Sequence, residues 1–219
     1  MEKLLKTTAD SSFTLYVPEL DEHYHSMNGA VLEARHVYLE SGLLHYVKNS
    51  RTEEIQVLEL GFGSGLNAFL TALEAEKQKI AINYTTLEKF PLPPDITEQL
   101  NYLPENRLLL RQLHQSEWEI PVSITPCFTL QKLAVDFRAF DFPDRYDVVY
   151  YDAFAPGKQP EVWSLDLFEK LFSAMNPGGI LTTYCAKGSV RRIMQQAGFT
   201  VERIPGAGGK REMLRAVVL

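Results

Sequence analysis

The chain has 219 residues, 45% of them hydrophobic and 23% charged, with a formal net charge of −6. That length and apolar content suit one core of ordinary size and a single α/β domain, and the acidic sum argues against a generic nucleic-acid binder, which needs Lys and Arg to neutralise phosphates. No apolar run approaches the ~18 residues that a bilayer demands, and Met1 to Asp10 is polar and mixed, so a soluble cytoplasmic protein with no membrane partner is expected.

In chain order, Phe13 to Val17 reads as a short strand of an N-terminal extension and Gly29 to Val47 as a helix. A strand at Gln56–Leu60 runs into a Gly-rich turn and a helix from about Leu66 to Glu76, followed by a second strand, Ile80–Leu87. Pro91 to Trp118, rich in Leu, Gln and Pro, reads as an insertion of helices. A third strand is expected at Val122–Pro126, a fourth at Asp147–Tyr151 and a fifth at Ile180–Tyr184, with a helix over Leu165–Met175 stopped by Asn176-Pro-Gly-Gly179. A helix from Gly188 to Ala197 leads to strands at Phe199–Ile204 and Met213–Leu219. Strand–helix alternation of this kind implies a mostly parallel sheet with helices on both faces. Residues 1–50 are expected to form an extension packed on a domain spanning 51–219.

Cys127 and Cys185 lie far apart without CxxC spacing or a His-rich neighbourhood, so neither a disulfide framework nor a metal site is expected, and both read as small buried hydrophobes in strands. Charge is uneven along the chain. From Lys187 to Leu219 seven basic residues (Lys187, Arg191, Arg192, Arg203, Lys210, Arg211, Arg215) stand against Glu202 and Glu212, giving +5 and leaving −11 on the first 186 residues. The basic end reads equally as a solvated helix face or as an RNA-facing patch.

The segment "VLELGFGSGLNAFL", Val57 to Leu70, places Glu59 two residues ahead of Gly61-Phe62-Gly63-Ser64-Gly65, which opens a helix. Glycines let backbone N–H groups approach a ligand closely, as in nucleotide-binding turns. The G-x-G-x-G spacing and the preceding acid disfavour a dinucleotide pyrophosphate. An acid beside exposed N–H donors suits a zwitterion with an ammonium and a carboxylate, and S-adenosyl-L-methionine is such a ligand. Glu88, 23 residues beyond Gly65, stands where an acid accepts both ribose hydroxyls in nucleotide-binding α/β folds, although a surface Glu paired with Lys89 would look the same.

"YDVVYYDAFAPGKQPEVW", Tyr146 to Trp163, runs apolar into Asp152 and then turns at Pro156. In a doubly wound sheet the fourth strand lies beside the first, so Asp152 is expected to share a crevice with Gly61–Gly65. Asp152 and a backbone carbonyl there suit the N–H groups of an amine substrate, with Phe154 as a flat wall. The segment resembles the acid, proline and aromatic turn of amine-directed methyltransferases. In-line methyl transfer needs a nitrogen lone pair aimed at the methyl carbon from ~3–3.5 Å, and Asp152 would hold the amine and take its proton. The same acid would serve as a plain turn cap.

The strings "DEHYHSMNGAVLEARHVYLESG", "ELGFGSGLNAF", "LEKFPL" and Asp152 to Leu214 together resemble the methyltransferase half of the MnmC family over nearly the whole chain from about Tyr24. The resemblance implies a seven-stranded class I, Rossmann-like fold, S-adenosyl-L-methionine as donor, and methylation of the 5-aminomethyl nitrogen of the wobble uridine in tRNA. It implies a donor-binding set of Glu59, Gly61, Gly63, Gly65 and Asn67, with Glu88 on the ribose and Asp152 as catalytic acid. Phe62 and Lys89, beside the turn and the second acid, are expected in the same donor site. Lys158, Trp163, Lys210 and Arg211 match further family strings, as do Tyr24, Glu33 and Arg35 at the N-terminal end, where His25 replaces the usual aromatic. With Arg191 and Arg192 these residues are expected to face the substrate and the tRNA anticodon loop, Phe154 and Trp163 being able to stack on a base or Trp163 to pin its loop. After the expected third strand the family's Gly-Asp is missing, the chain reading Pro126-Cys127-Phe128-Thr129, which leaves the adenine contacts unassigned.

No second Gly-rich βα turn is present, so a stand-alone methyltransferase without flavin is expected, acting on a 5-aminomethyl group that a separate enzyme supplies. Three rivals stand beside this reading: an aminopropyltransferase like spermidine synthase, a small-molecule N-methyltransferase, and a non-catalytic RNA-binding protein on the same fold.

Overall fold

The computed structural model describes residues 2–50 and 52–219. Met1, and Arg51 at the start of the expected 51–219 domain, lie outside the described residues. Three short strands, β1 (Leu4–Thr7), β2 (Phe13–Val17) and β3 (Glu22–His23), form an antiparallel N-terminal sheet where one strand was expected. The next helical run starts as α1 (Ala30–Ala34), widens to a π-helical stretch over Arg35–Leu43 and closes as α2 (Leu44–Asn49). Wider i→i+5 winding of this kind is rare and concentrates at functional sites.

The main sheet has eight strands rather than seven. They are β4 (Glu54–Leu60), β5 (Ala81–Leu87), β6 (Pro121–Thr125), β7 (Phe128–Leu133), β8 (Tyr146–Tyr151), β9 (Met175–Thr183), β10 (Thr200–Ile204) and β11 (Met213–Val217), in the spatial order β10-β11-β9-β8-β4-β5-β7-β6. The pairs β4–β5, β4–β8, β5–β7 and β8–β9 are parallel, whereas β11 and β6 run antiparallel to their neighbours. Helices α3 (Leu66–Gln78), α4 (Pro94–Thr97), α5 (Arg107–Gln115), α6 (Leu165–Ser173) and α7 (Gly188–Gln196) make the connections.

The eighth strand corrects the expected order at one edge. Val122 to Thr125 lies in β6, at the outside of the sheet, and the parallel neighbour of β5 is β7. An edge strand tolerates Pro121 at its first position, where no ladder N–H is needed, and the turn at Pro126-Cys127 folds β7 back inward. In β7 the alternate residues Phe128, Leu130 and Lys132 are buried, as strand pleating requires. Cys127 therefore sits in a turn, half-buried, with its N–H donating to Glu76 Oε1 at 2.8 Å, while Cys185 is buried just beyond β9; both are free thiols. A second correction concerns Asn176-Pro-Gly-Gly179, which belongs to β9 instead of following a helix to Met175. A register irregularity between Tyr146 and Val148 absorbs those residues along β8.

Central strands are covered on both faces, and all six residues of β8 are buried. Along β4, Ile55 and Val57 join a core with Phe69 and Ala72 of α3 and with Val37 and Tyr38 of the π-helical stretch. Leu58 and Leu60 point the other way, into a core with Leu167, Phe168 and Leu171 of α6 and Met194 of α7. This alternation decides where the β4 side chains go when the strand reaches its carboxyl end.

Candidate active site

The carboxyl ends of β4 and β8 meet in register, Leu60 opposite Tyr151. Asp152 N–H donates to Leu60 O at 3.2 Å, and Gly61 N–H to Leu87 O at 2.9 Å, which ties the turn after β4 to both neighbouring strands. Gly61 has φ +99°, and a Cβ there would lie 2.9 Å from the Asp152 carbonyl oxygen, so glycine alone fits. Gly63 has φ +50°, and a Cβ would lie 3.2 Å from the Tyr24 ring. A cavity of about 530 Å³ opens here, lined by Gly61, Phe62, Gly63, Asn67, Glu88, Lys89, Asp152, Phe154 and Lys158, with Tyr24, Glu33 and Lys210 from the chain's two ends. Its size is ordinary for a ligand the size of a nucleoside derivative.

Glu88 is pinned by two backbone donors: Gly63 N–H to Oε2 at 2.9 Å and Phe90 N–H to Oε1 at 2.8 Å. Each oxygen keeps a lone pair for a hydroxyl, which fits a ribose diol. Lys89 does not pair with Glu88; its Nζ donates to Asp136 Oδ2 at 3.0 Å. Asp136 and Phe137 follow β7 and line the same cavity, so an acid stands three residues past the true third parallel strand, in a position that could hold an adenine amino group. Hydrogen bonds from the Arg138 side chain hold the Asp136 carboxyl well below the usual carboxylate range.

Glu59 departs from its expected place. It is fully buried, faces the α3 side of the sheet with Val57, and is not part of the cavity wall. Its Oε2 accepts the Thr86 hydroxyl at 2.7 Å, and burial raises its pKa well above the ordinary value. A Glu59 carboxylate facing the ammonium of a zwitterion is therefore not what the strand delivers. The acids that do face the cavity at that end are Asp152 and Glu33.

Asp152 is held by two donors from different elements, Tyr38 O–H to Oδ1 at 2.6 Å and Asn67 Nδ2–H to Oδ2 at 2.8 Å. Removal from solvent pushes its carboxyl up to about 7, against the pull of those two hydrogen bonds. Phe154 stands edge-on to Tyr24, ring centroids 5.4 Å apart, making an aromatic wall beside it. Tyr184, just after β9, closes the wall and donates to Ala153 O at 2.9 Å. Lys210 reaches in from the loop before β11, pairing with Glu33 Oε1 at 2.6 Å over the Tyr184 ring. His25, at the position usually aromatic, lines the cavity as a neutral ring, burial pushing its pKa down to about 4.

Trp163 is buried against Tyr151 and donates its indole N–H to Phe154 O at 2.8 Å, so it pins the loop and offers no face to a base. Arg35, Arg192 and Arg211 are exposed and Arg191 half-buried, and none of the four lines the cavity. Tyr38, Asp136 and Tyr184 escaped the sequence reading because single tyrosines and an acid in a loop carry no spacing signal. The residues present fit S-adenosyl-L-methionine: a glycine turn with no room for side chains, Glu88 with free lone pairs for a diol, Asp136 after β7 for an adenine amino group, and Asp152 and Glu33 for an ammonium. When bound, that group supplies an electrophilic methyl on a cationic sulfur.

Comparison with known proteins agrees with the geometry. Residues 122–218 match a family model described as S-adenosyl-L-methionine-dependent methyltransferase. Two bifunctional MnmC proteins of 5-methylaminomethyl-2-thiouridine biosynthesis in tRNA are similar: that of Cupriavidus necator is 31% identical over 90% of this chain, and that of Pseudomonas fluorescens 32% identical over 91%. The chain spans about a third of the length of these relatives, 32% in each case. The crystal structure of MnmC2 from Aquifex aeolicus superposes on 99% of this chain and 70% of its own, with a TM-score of 0.77 at 25% identity. The chain therefore has the fold of the class I S-adenosyl-L-methionine-dependent methyltransferases, matches a methyltransferase family model over residues 122–218, and is similar over nearly all its length to part of the MnmC proteins.

Proposed function

We propose that this protein transfers a methyl group from S-adenosyl-L-methionine to the 5-aminomethyl nitrogen of a wobble (2-thio)uridine in tRNA, giving 5-methylaminomethyl-2-thiouridine. The observation that carries the reading is Asp152, an acid with a pKa near 7 that lines the cavity beside the glycine turn. An alkyl ammonium has no lone pair. Each Asp152 oxygen, having taken one donor from Tyr38 or Asn67, keeps a second lone pair for a substrate N–H. Asp152 thus accepts the proton that the ammonium must shed, and the freed nitrogen lone pair can attack in line, an effect worth ~10²–10⁴ in rate. Phe154 and Tyr24 limit the angles at which the amine can enter. The sulfonium is already an activated electrophile, so the proposed transfer requires neither a metal nor a flavin.

The proposal extends to partners. The anticodon loop would dock at the cavity mouth, where Lys158 and Lys210 stand, with Arg191, Arg192 and Arg211 further out. A separate enzyme would deliver the 5-aminomethyl group, and the reaction would run in the cytoplasm. No helix among the described residues is long and apolar enough to cross a membrane.

The test is to incubate purified protein and labelled donor with tRNA bearing 5-aminomethyl-2-thiouridine, then identify the nucleoside and the spent donor by mass spectrometry. The expected result is the methylaminomethyl nucleoside with S-adenosylhomocysteine. Methylthioadenosine instead would make the protein an aminopropyltransferase, and methylation of free amines but not tRNA would make it a small-molecule enzyme.

A further inference from the structure

Asn67 sits between two buried acids. Its Nδ2–H donates to Asp152, while its Oδ1 has no hydrogen-bond partner among the described residues. Beside it is the carboxyl of Glu59, whose Oε1 is equally buried and equally without a partner. The Tyr84 hydroxyl, equally buried and bare, faces the same Glu59 carboxyl. Polar atoms left bare in a dry interior are costly; the Tyr84 hydroxyl donating to Glu59, together with one proton on Glu59, resolves all three. If Glu59 is a neutral acid with its proton on Oε1, it donates to Asn67 Oδ1, and the amide is locked with its N–H toward Asp152. Burial, which raises the Glu59 pKa well above normal, favours that protonated state. On the opposite side Tyr38, itself buried with its ring 5.3 Å from Tyr150, is delivered to Asp152 by the π-helical stretch.

We infer that Tyr38, Asn67 and a neutral Glu59 are positioning residues for Asp152: a one-way set of hydrogen bonds running from the Glu59 carboxyl through the Asn67 amide, and from the Tyr38 hydroxyl, that fixes the plane of the Asp152 carboxylate and keeps the single negative charge on it. This rests on the methyl-transfer reading for its consequence, but the hydrogen-bond set can be tested without it. Asn67 is thereby moved from the donor-binding set to the proton acceptor. The other charged or titratable groups near Asp152 are Glu33 of α1, Tyr84 of β5, Tyr184 after β9 and Lys210 of the loop before β11. Each differs from the proposed set in making no hydrogen bond to its carboxylate.

The experiment follows the Asp152 carboxyl by carbon-13 NMR titration of the full chain without substrate, its resonance assigned by its loss in Asp152→Asn. Tyr38→Phe and Asn67→Leu are each expected to raise the titration midpoint by about one pH unit, a tenfold loss of carboxylate below the midpoint. Glu59→Leu should raise it similarly by freeing the amide to turn, whereas Glu59→Gln, which keeps a neutral donor, should restore it. In methyl transfer the acidic limb of kcat/KM should move with the midpoint, and donor Kd in Tyr38→Phe should stay within about threefold of wild type, since no lost bond touches the donor. A midpoint unmoved in Tyr38→Phe and Asn67→Leu, or a Glu59→Gln protein that behaves as Glu59→Leu, would overturn the inference. Should the wild type fail to methylate tRNA, the titration still judges the positioning set, so the two failures are distinguishable.

Discussion

A carboxyl that titrates near pH 7 is a proton acceptor over only part of the physiological range, and this property of Asp152 has two opposite consequences. In the proposed role the ionised form is the active one, so kcat/KM should fall about tenfold per pH unit below 7 and level off above it. For stability the sign reverses. Unfolded, the group titrates near 3.8, so between pH 4 and 7 the folded protein holds a proton that the unfolded chain has released, and stability falls as pH rises through that window. Asp152→Asn should abolish turnover by two orders of magnitude or more, keep donor affinity, and gain in melting temperature relative to wild type from pH 5 to pH 8. Loss of donor affinity instead, with turnover intact at saturation, would place Asp152 in the donor site. That Asp152 and Glu88 would face one cavity was legible in the sequence because each is an acid directly following a strand, a pattern with few structural uses. Glu59 misled for the same reason. Strand alternation, not proximity to the glycines, sets where its side chain goes, and Val57 fixes it on the α3 face.

At the scale of elements, the turn between β4 and α3 was read correctly because its geometry restricts residue type. Gly61 makes the point testable: with φ +99° and 2.9 Å of clearance to Asp152 O, Gly61→Ala must shift the β4 turn or the start of the Asp152 loop. Donor affinity, measured by calorimetry, should drop at least tenfold while the fold persists by circular dichroism. Helix α6 carries a device that the sequence reading did not use. Ser164 precedes it and accepts from Leu167 N–H at 3.4 Å, an N-cap in extended conformation. Ser164→Ala should cost about 1 kcal/mol, seen as a lower urea midpoint with unchanged slope. The β6–β7 hairpin and the π-helical stretch were not legible. Pro126-Cys127 lacks the Asn-Gly or Asp-Gly signature of tight hairpins, and Lys132, buried with its Nζ donating to Leu113 O and His114 O, disguises the inward face of β7 as polar. A π-helical winding leaves no periodic trace distinct from an ordinary amphipathic helix.

For the molecule as a whole, the sequence divides its charge between an acidic body and a C-terminal segment of net +5, and the fold decides what that segment can reach. β9 and α7 succeed one another on the crevice side of the sheet, and the loop before β11 returns to the cavity through Lys210. The space beside Gly157 is approached by Lys187 Nζ, 3.7 Å from where a Cβ would stand, so the loop carrying Asp152 and the entry to α7 are neighbours. Lys158 and Lys210 thus line one cavity from separate stretches of chain, with Lys187 beside Gly157 and Arg211 next to Lys210 in sequence. Lys158 and Lys210 already pair with Asp21 and Glu33, so their gain on meeting phosphate is reduced by the bonds exchanged. Arg211, exposed, has no such ion pair among the described residues. Arg211→Glu should therefore weaken tRNA binding more than Lys158→Glu, and both should leave donor affinity unchanged. In a salt series from 50 to 200 mM, removal of one phosphate contact should lower the slope of log K against log salt by about 0.7 to 0.9. An unchanged slope in Arg211→Glu would move the RNA footprint off the cavity mouth, to another face of the protein.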